Sequence, residues 1–451
     1  MAPENLPPLL TAKTALASEA LAREIIRDLR ALHHRAYLVG GCVRDRLLGI
    51  APKDFDVSTG ALPSEIARIF PESQPVGAHF GVVLVTGGSG IHVEVATFRS
   101  DGAYIDGRHP DEVSFETDPA LDVQRRDFTI NGLMEDPSSG QIIDYVGGRQ
   151  DLQSKLIRAI GDPQRRFQED RLRMLRAVRF AARLGFDIEA ETLEAIRREA
   201  NCILRVSAER IREELVKILT EGGARRGIEL LDDAGLLVHV LPEIKALQGV
   251  EQPPEFHPEG DVWIHVLLML EQMRNPTPTL ALGVLFHDVG KPSTFRIAGR
   301  IRFDGHAEVG ARMTRELLGR LRFSTEDVDR VTSLVANHMK FKDVRQMRLS
   351  TLKRFLRLPH FDEHLELHRL DCLSSHRQLD AYNFVRAKLS EIRQAELRPR
   401  RLVTGQDLIA AGHRPGPQFR EALTAVETAQ LEGEITSREQ ALELAESVLN
   451  Q

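Results

Sequence analysis

The sequence predicts an α+β chain whose mixed sheet and covering helices lie at the N-terminal end, followed by regions that are mostly helical. Three observations carry this. Strand alternation punctuated by glycine turns is confined to the segment before residue 160, helical periodicity dominates from Glu169 onward, and only 5% of the 451 residues are aromatic. The length exceeds what one core supports and suggests about three domains. Hydrophobic and charged contents of 42% and 28% are ordinary for a globular chain. A formal net charge of -6 argues against a general basic coat but leaves room for a local basic groove. Cys42, Cys202 and Cys372 are far apart with no C-x-x-C spacing, which indicates neither a disulfide framework nor a cysteine zinc site and fits a reducing cytoplasm. The N-terminus lacks a basic region followed by an apolar core, and no apolar run approaches membrane-spanning length, so a cytoplasmic protein without a membrane partner is expected.

In chain order, Ser18 to Leu32 reads as an amphipathic helix with Leu21, Ile25, Ile26 and Leu29 on one side. Ala36 to Val39 is a strand running into the Gly40-Gly41 turn, with a short helix from Val43 to Leu48 behind it, a layout suited to phosphate. In KDFDV, alternation puts Asp54 and Asp56 on one face and Phe55 and Val57 on the other. Two adjacent carboxylates repel unless a cation sits between them, and Mg²⁺ carrying nucleotide phosphates is the candidate. Gly40 and Gly41 let the backbone approach those phosphates, and Arg44 can neutralise them.

Pro63 to Phe70 reads as a helix. The strands Gly81 to Thr86 and Ile91 to Thr97 are joined by GGSG, a hairpin signal. On the second of them Glu94 is either a third metal carboxylate or an ordinary glutamate of the polar face. Phe98 to Phe115 reads as a long loop. Arg125 and Arg126 then precede a strand-like stretch and suit bidentate phosphate binding. Gly147 and Gly148 mark a turn before a short helix, and Pro163 opens a linker.

GG-x-x-RD, a spacer and KDFDV together resemble the signature of the polymerase-beta-type nucleotidyltransferases, specifically the bacterial class II tRNA nucleotidyltransferase (CCA-adding enzyme) and poly(A) polymerase family. RRDFTIN matches that family's second signature, although this chain continues Asn131-Gly132-Leu133-Met134 where the family more often reads NA. The resemblance implies a nucleotidyltransferase head, Mg²⁺ on Asp54 and Asp56, a nucleotide contact from Arg126, and a flexible loop at the position of DGRHPD.

Glu169 to Leu184 reads as one helix with Asp170, Arg173 and Arg176 in a stripe that Arg179 continues. This is either an exposed face with ordinary i,i+3 pairs or a base-reading surface. A carboxylate acceptor beside a guanidinium donor complements the edges of both cytosine and adenine. EDxxR resembles the family's amino-acid template, which implies that Asp170 and Arg173 read the base while Arg176 and Arg179 lie near nucleotide or tRNA phosphates. Helices follow from Ala190 to Arg198, Ser207 to Thr220 and Gly223 to Ala234, with Ser207 as an N-cap and Arg210 where a capping-box glutamate would stand.

Beyond the Pro-rich stretch at Pro253, the order His265, His287-Asp288, His306, His338 and Asp371 resembles the metal-dependent HD phosphohydrolases. That resemblance implies His265, His287, Asp288 and Asp371 as core ligands of a divalent transition metal, with His306 and His338 permitting a second. Lys340, Lys342, Arg345 and Arg348 begin a locally basic helical region that suits RNA phosphates as well as a solvated face. The expected regions are a head at 1–160, a helical neck at 161–250, an HD-type region at 251–380 and a helical tail at 381–451. The expected activity is addition of CCA, or part of it, to tRNA from CTP and ATP, with no protein partner evident. Poly(A), A-only or CC-only addition, and an enzyme acting mainly as an HD phosphohydrolase on RNA ends or nucleotides, stand as alternatives.

Overall fold

Period-two alternation builds a seven-stranded sheet in the first part of the chain. Its strands are β1 (Ala36–Val39), β2 (Asp56–Thr59), β3 (Ser73–Pro75), β4 (Val82–Thr86), β5 (His92–Thr97), β8 (Leu133–Asp136) and β9 (Gln141–Asp144), while β6 (Arg99–Asp101) and β7 (Val113–Phe115) pair separately. The order is β3-β4-β5-β2-β1-β8-β9, with β2 and β5 parallel and every other neighbour antiparallel. The computed structural model describes residues 8–76, 81–88, 90–102, 113–255, 257–392 and 397–450. The chain divides into two units, Met1–Pro242 and Glu243–Gln451, so the first contains the expected head and all but the last residues of the expected neck.

The helix Pro8–Ala31 buries Ile25, Ile26 and Leu29 fully or nearly so, which is the face the periodicity assigns. The β4–β5 hairpin pairs Val82 with Ala96 through to Thr86 with His92, as the GGSG turn predicts. Four sequence expectations need correction. The long loop from Phe98 to Phe115 is closed at its base by β6 and β7, and its DGRHPD portion lies outside the described residues. RRDFTIN is not a strand: Arg125 ends the helix Pro119–Gln124, and Thr129–Asn131 forms a 3-10 turn anchored by the Thr129 N–H donating to the Arg158 carbonyl at 2.9 Å. Pro163 does not open a linker, because Asp162 caps a helix spanning Pro163–Glu169 by accepting from the Gln164 N–H at 3.0 Å. Asp170 is extended (φ −143°, ψ 105°), so the base-reading segment is two helices, with the second running Arg173–Leu184.

Gly132 and Gly148 are fixed by proximity. A Cβ on Gly132 would lie 2.8 Å from Val146 and 3.0 Å from Val123, so an alanine there would crowd both valines. A Cβ on Gly148 would lie 2.2 Å from the Thr129 carbonyl oxygen, a backbone atom that no rotamer change moves away. Gly148→Ala should therefore lower stability by about 3 kcal/mol or more, read as a fall in the urea midpoint at constant slope.

The second unit is built on helices. Pro278–Phe286 is buried along nearly its whole length from Thr279 to Phe286, which suits a segment with no polar face and delivers His287 and Asp288 into the interior. Val262–Gln272, His306–Arg320, Thr325–Asn337 and Phe361–Ser374 carry or precede the other candidate ligands. Pro417–Glu432 and Arg438–Leu449 belong to a separate small core with Val403, Leu408, Val426 and Ala445.

Candidate active sites

In the first unit one cavity of about 980 Å³ gathers the head residues singled out by sequence. Gly40, Gly41, Arg44, Asp54, Asp56 and Glu94 line one part, and Arg126, Asp170, Arg173, Arg176 and Arg179 another. Asp54 lies just before β2 and Asp56 opens it, while Phe55 and Val57 point into the core at 3% and 0% exposure. Asp56 pairs with Val39, the residue before Gly40, and Val57 pairs with Val95, so Glu94 stands level with Asp56 on the neighbouring strand. Burial and then the Glu94 and Asp54 charges push the Asp56 carboxyl up to about 6, against the pull of Arg126. A carboxyl raised in this way by its neighbours fits a hard cation. The donor set is all oxygen, as Mg²⁺ requires. Among the described residues, Asp54, Asp56 and Glu94 are not one of the groups whose donor atoms all lie within 4.8 Å of one another.

Gly40 takes φ +73°, a conformation L side chains rarely adopt, and the Arg126 guanidinium lies above it, 3.5 Å from where a Cβ would stand. Arg126 projects from the end of a short helix and is held by Asp122 at 2.9 Å. Arg44 is buried, with Nε donating to Asp45 at 2.7 Å and Nη1 to Asn131 Oδ1 at 2.6 Å. Asn131 Nδ2 in turn donates to Asp127 Oδ1 at 3.1 Å, and Asp127 Oδ2 accepts from Arg176 at 2.9 and 2.6 Å. Asp127 and Asn131 belong to RRDFTIN, and nothing in that motif's spacing marks them as the link between the two parts of the cavity. The Phe180 ring, likewise missed, lies against the guanidinium groups of Arg44, Arg176 and Arg179 at 5.1, 5.4 and 4.4 Å.

Burial opposes ionisation of Asp127, yet Arg176 and the Asn131 hydrogen bond hold its carboxyl down to about 2. Asp127→Asn should cost about 2 kcal/mol, below the cost for a fully buried pair because the Arg176 side chain is 34% exposed. The folded-state value lies below the unfolded one. The wild-type advantage is therefore present above about pH 4 and disappears as pH falls through about 2, as denaturant titrations across that range would read.

The base-side residues are arranged differently from a single helical stripe. Asp170 Oδ1 accepts from the Leu172 N–H at 3.1 Å and Oδ2 from Arg210 at 2.9 Å, so the residue read only as a capping position is its ion-pair partner. Arg173 is fixed by Glu169 at 3.0 Å and by the Arg125 carbonyl at 2.9 Å. Arg179 pairs with Glu214 at 2.7 Å and Glu221 at 3.3 Å.

In the second unit a cavity of about 730 Å³ is lined by His287, Asp288, His306, His338 and Asp371. Asp288 is its hub: Oδ2 lies 3.1 Å from His287 Nε2 and 2.7 Å from Lys291, and Oδ1 lies 3.5 and 3.8 Å from the Nε2 atoms of His306 and His338. A Cβ on Gly290 would lie 2.2 Å from the His306 carbonyl, so glycine lets the helix starting at His306 approach. His265 is fully buried with Nε2 3.2 Å from Asp371 and Nδ1 2.7 Å from Glu259. Burial opposes its protonation, but Asp371 and Glu259 push it up to about 9, whereas burial and then the nearby His287 push His338 down to about 3.

These residues fit a metal. Donor atoms of His265, His287 and Asp288 lie within 4.8 Å of one another, as do those of Asp288, His306 and His338, and the buried His287 Nε2 and Asp288 Oδ2 touch each other without hydrogen-bond geometry. Mixed imidazole and carboxylate donors suit transition metals. Lys291, within the HDVGKP motif, and Glu259 are additional site residues. The former was legible from its i,i+3 spacing to Asp288, while nothing in the sequence marked the latter.

Residues 36–158 match the Poly A polymerase head domain, 185–248 the probable RNA and SrmB-binding site of polymerase A, and 262–360 the HD domain. The CCA-adding enzyme of Levilactobacillus brevis is 42% identical over 48% of this chain and 54% of its own length, and that of Lactobacillus helveticus is 39% identical over 55% and 63%. The chain thus spans about half the length of the curated relatives it matches. The crystal structure of the Bacillus stearothermophilus CCA-adding enzyme in complex with CTP aligns with TM-score 0.74 and 26% identity over 99% of this chain and 98% of that one. The Thermotoga maritima CCA-adding enzyme complexed with tRNA shares the fold, with TM-score 0.58 and 20% identity over 98% of each chain. With matches to a Poly A polymerase head domain, an RNA-binding segment and an HD domain in this order, the chain is similar in sequence and fold to the CCA-adding enzymes.

Proposed function

We propose that this protein is a template-independent nucleotidyltransferase that adds CCA, or part of it, to tRNA 3′ ends from CTP and ATP and releases pyrophosphate. The observation that carries the reading is the head cavity, where an all-carboxylate wall, two arginines beside a glycine turn and an Asp-Arg pair face one space. Asp54 and Asp56, with Glu94 beside them, would hold Mg²⁺, which when bound lowers the pKa of the attacking hydroxyl and stabilises the leaving pyrophosphate. Arg126, above Gly40, and Arg44, beside Asn131, offset phosphate charge from fixed positions. Asp170 offers an acceptor, and Arg173 with Arg210 offers donors, to the amino group and ring nitrogen that cytosine and adenine both present. Arg176 and Arg179, each paired with a carboxylate like the other arginines of the cavity, lie near the nucleotide or tRNA phosphates in this reading.

The regions 1–160, 161–250, 251–380 and 381–451 serve as head, neck, HD region and tail in this reading. The second unit adds a metal-dependent phosphohydrolase acting on RNA ends or nucleotides, supported by the buried imidazole and carboxylate donors grouped around Asp288. A tRNA substrate and free cysteines suit a cytoplasmic enzyme, and no described helix is long and apolar enough to cross a membrane.

The test is extension of a tRNA lacking CCA with CTP, ATP or both. The reading requires cytidine from CTP alone and a terminal adenosine only when both are present. Long adenosine tails from ATP alone would assign the protein to poly(A) synthesis, and phosphate release without any incorporation would leave only the phosphohydrolase.

A further inference from the structure

We infer that Glu259 is the positioning residue that orients His265 and strengthens it as a metal ligand, an inference that rests on the phosphohydrolase reading of the second unit. The other three histidines are oriented by the backbone. The Nδ1 atoms of His287, His306 and His338 lie 2.9, 2.8 and 2.6 Å from the carbonyls of Val284, Phe303 and Val335, each three residues earlier, which directs Nε2 toward Asp288. Those histidines stand at helix ends: His287 and His338 close Pro278–Phe286 and Thr325–Asn337, and His306 opens its own helix. His265 stands inside Val262–Gln272, where the carbonyls are committed to the helix ladder.

Glu259 takes the place of the missing carbonyl. Its Oε1 makes an ion-pair contact of 2.7 Å with His265 Nδ1, outside hydrogen-bond geometry, and a hydrogen bond of 2.9 Å with His257 Nδ1, and its side chain is 5% exposed. Oε2 is buried and makes no hydrogen bond, so this carboxylate's side-chain partners are two imidazoles. The segment carrying it is pinned at both ends, by a bridge between Glu251 and Asp261 and by the Asp261 cap on Ile264 N–H. A carboxylate 2.7 Å from Nδ1 favours the proton on that nitrogen through its charge, where a carbonyl does so by a hydrogen bond. Its charge also makes Nε2 a stronger donor toward the Asp371 side of the cavity.

The test is a Co²⁺ titration of the whole protein with excess Mg²⁺ present to occupy the head carboxylates, read by calorimetry and by the visible absorption of bound Co²⁺. Glu259→Gln keeps a neutral acceptor, and so the fold, but removes the charge. Affinity should fall about tenfold and the Co²⁺ band should shift. Unchanged affinity, or a loss with no spectral shift, would overturn the role. Failure of the wild-type protein to take up Co²⁺ would instead overturn the phosphohydrolase reading and this inference with it.

Discussion

Asp56→Asn should abolish nucleotide incorporation while making the metal-free protein more stable at neutral pH. The two effects share one cause. Asp56 is enclosed with Glu94 and Asp54 nearby, and its carboxyl is pushed up to about 6 from 3.8. Because the folded-state value exceeds the unfolded one, stability falls as pH rises between about 4 and 6 and stays at the lower level above that. Asn removes the charge and the penalty. The gain should be about 2 kcal/mol at pH 7.5 in EDTA and should vanish below about pH 4, as denaturant midpoints at the two pH values would read. Loss of the carboxylate should cost at least about 10³-fold in incorporation. Incorporation that survives Asp56→Asn and Asp54→Ala would sink the two-carboxylate mechanism.

Asp288→Asn should empty the second site while leaving the first intact. Every donor of the second cavity near Asp288 is oriented toward it, so losing its charge removes the ligand shared by the two clusters. Bound transition metal, measured by elemental analysis after dialysis, should fall to background. Phosphate release from RNA ends should drop at least about 100-fold with tRNA extension retained. Lys291 then loses the carboxylate 2.7 Å from it, which should also lower stability. Phosphate release that persists in Asp288→Asn would remove the phosphohydrolase from the reading.

What was legible in the sequence follows from how local its causes are. The strand into Gly40, the β4–β5 hairpin and the burial of Phe55 and Val57 depend on alternation and turn chemistry within a few residues, and each is found where it was expected. The break at Asp170 was hidden because Glu169 to Leu184 has helical composition throughout. The break is accompanied by Arg210, forty positions away, pairing with Asp170. RRDFTIN looked like a strand because Phe128 and Ile130 alternate with polar residues, but Arg158 and Gly148 engage Thr129 and turn the chain. The helix after Asp162 was a missed signal, since an Asp-Pro pair is a local helix start. Glu259 lay beyond reach, because its partner His265 has an ordinary place on an apolar helix.

The hydrogen-bonded chain from Arg44 through Asn131 and Asp127 to Arg176 has a consequence for how such a protein can change. A substitution at one end removes a partner from the next member, so these four positions are expected to change together. Replacing Arg176 alone removes the partner of Asp127 and disturbs Arg44 through Asn131, so single variants there should be mostly slow. Productive lineages should arrive as paired substitutions that include position 127 or 131.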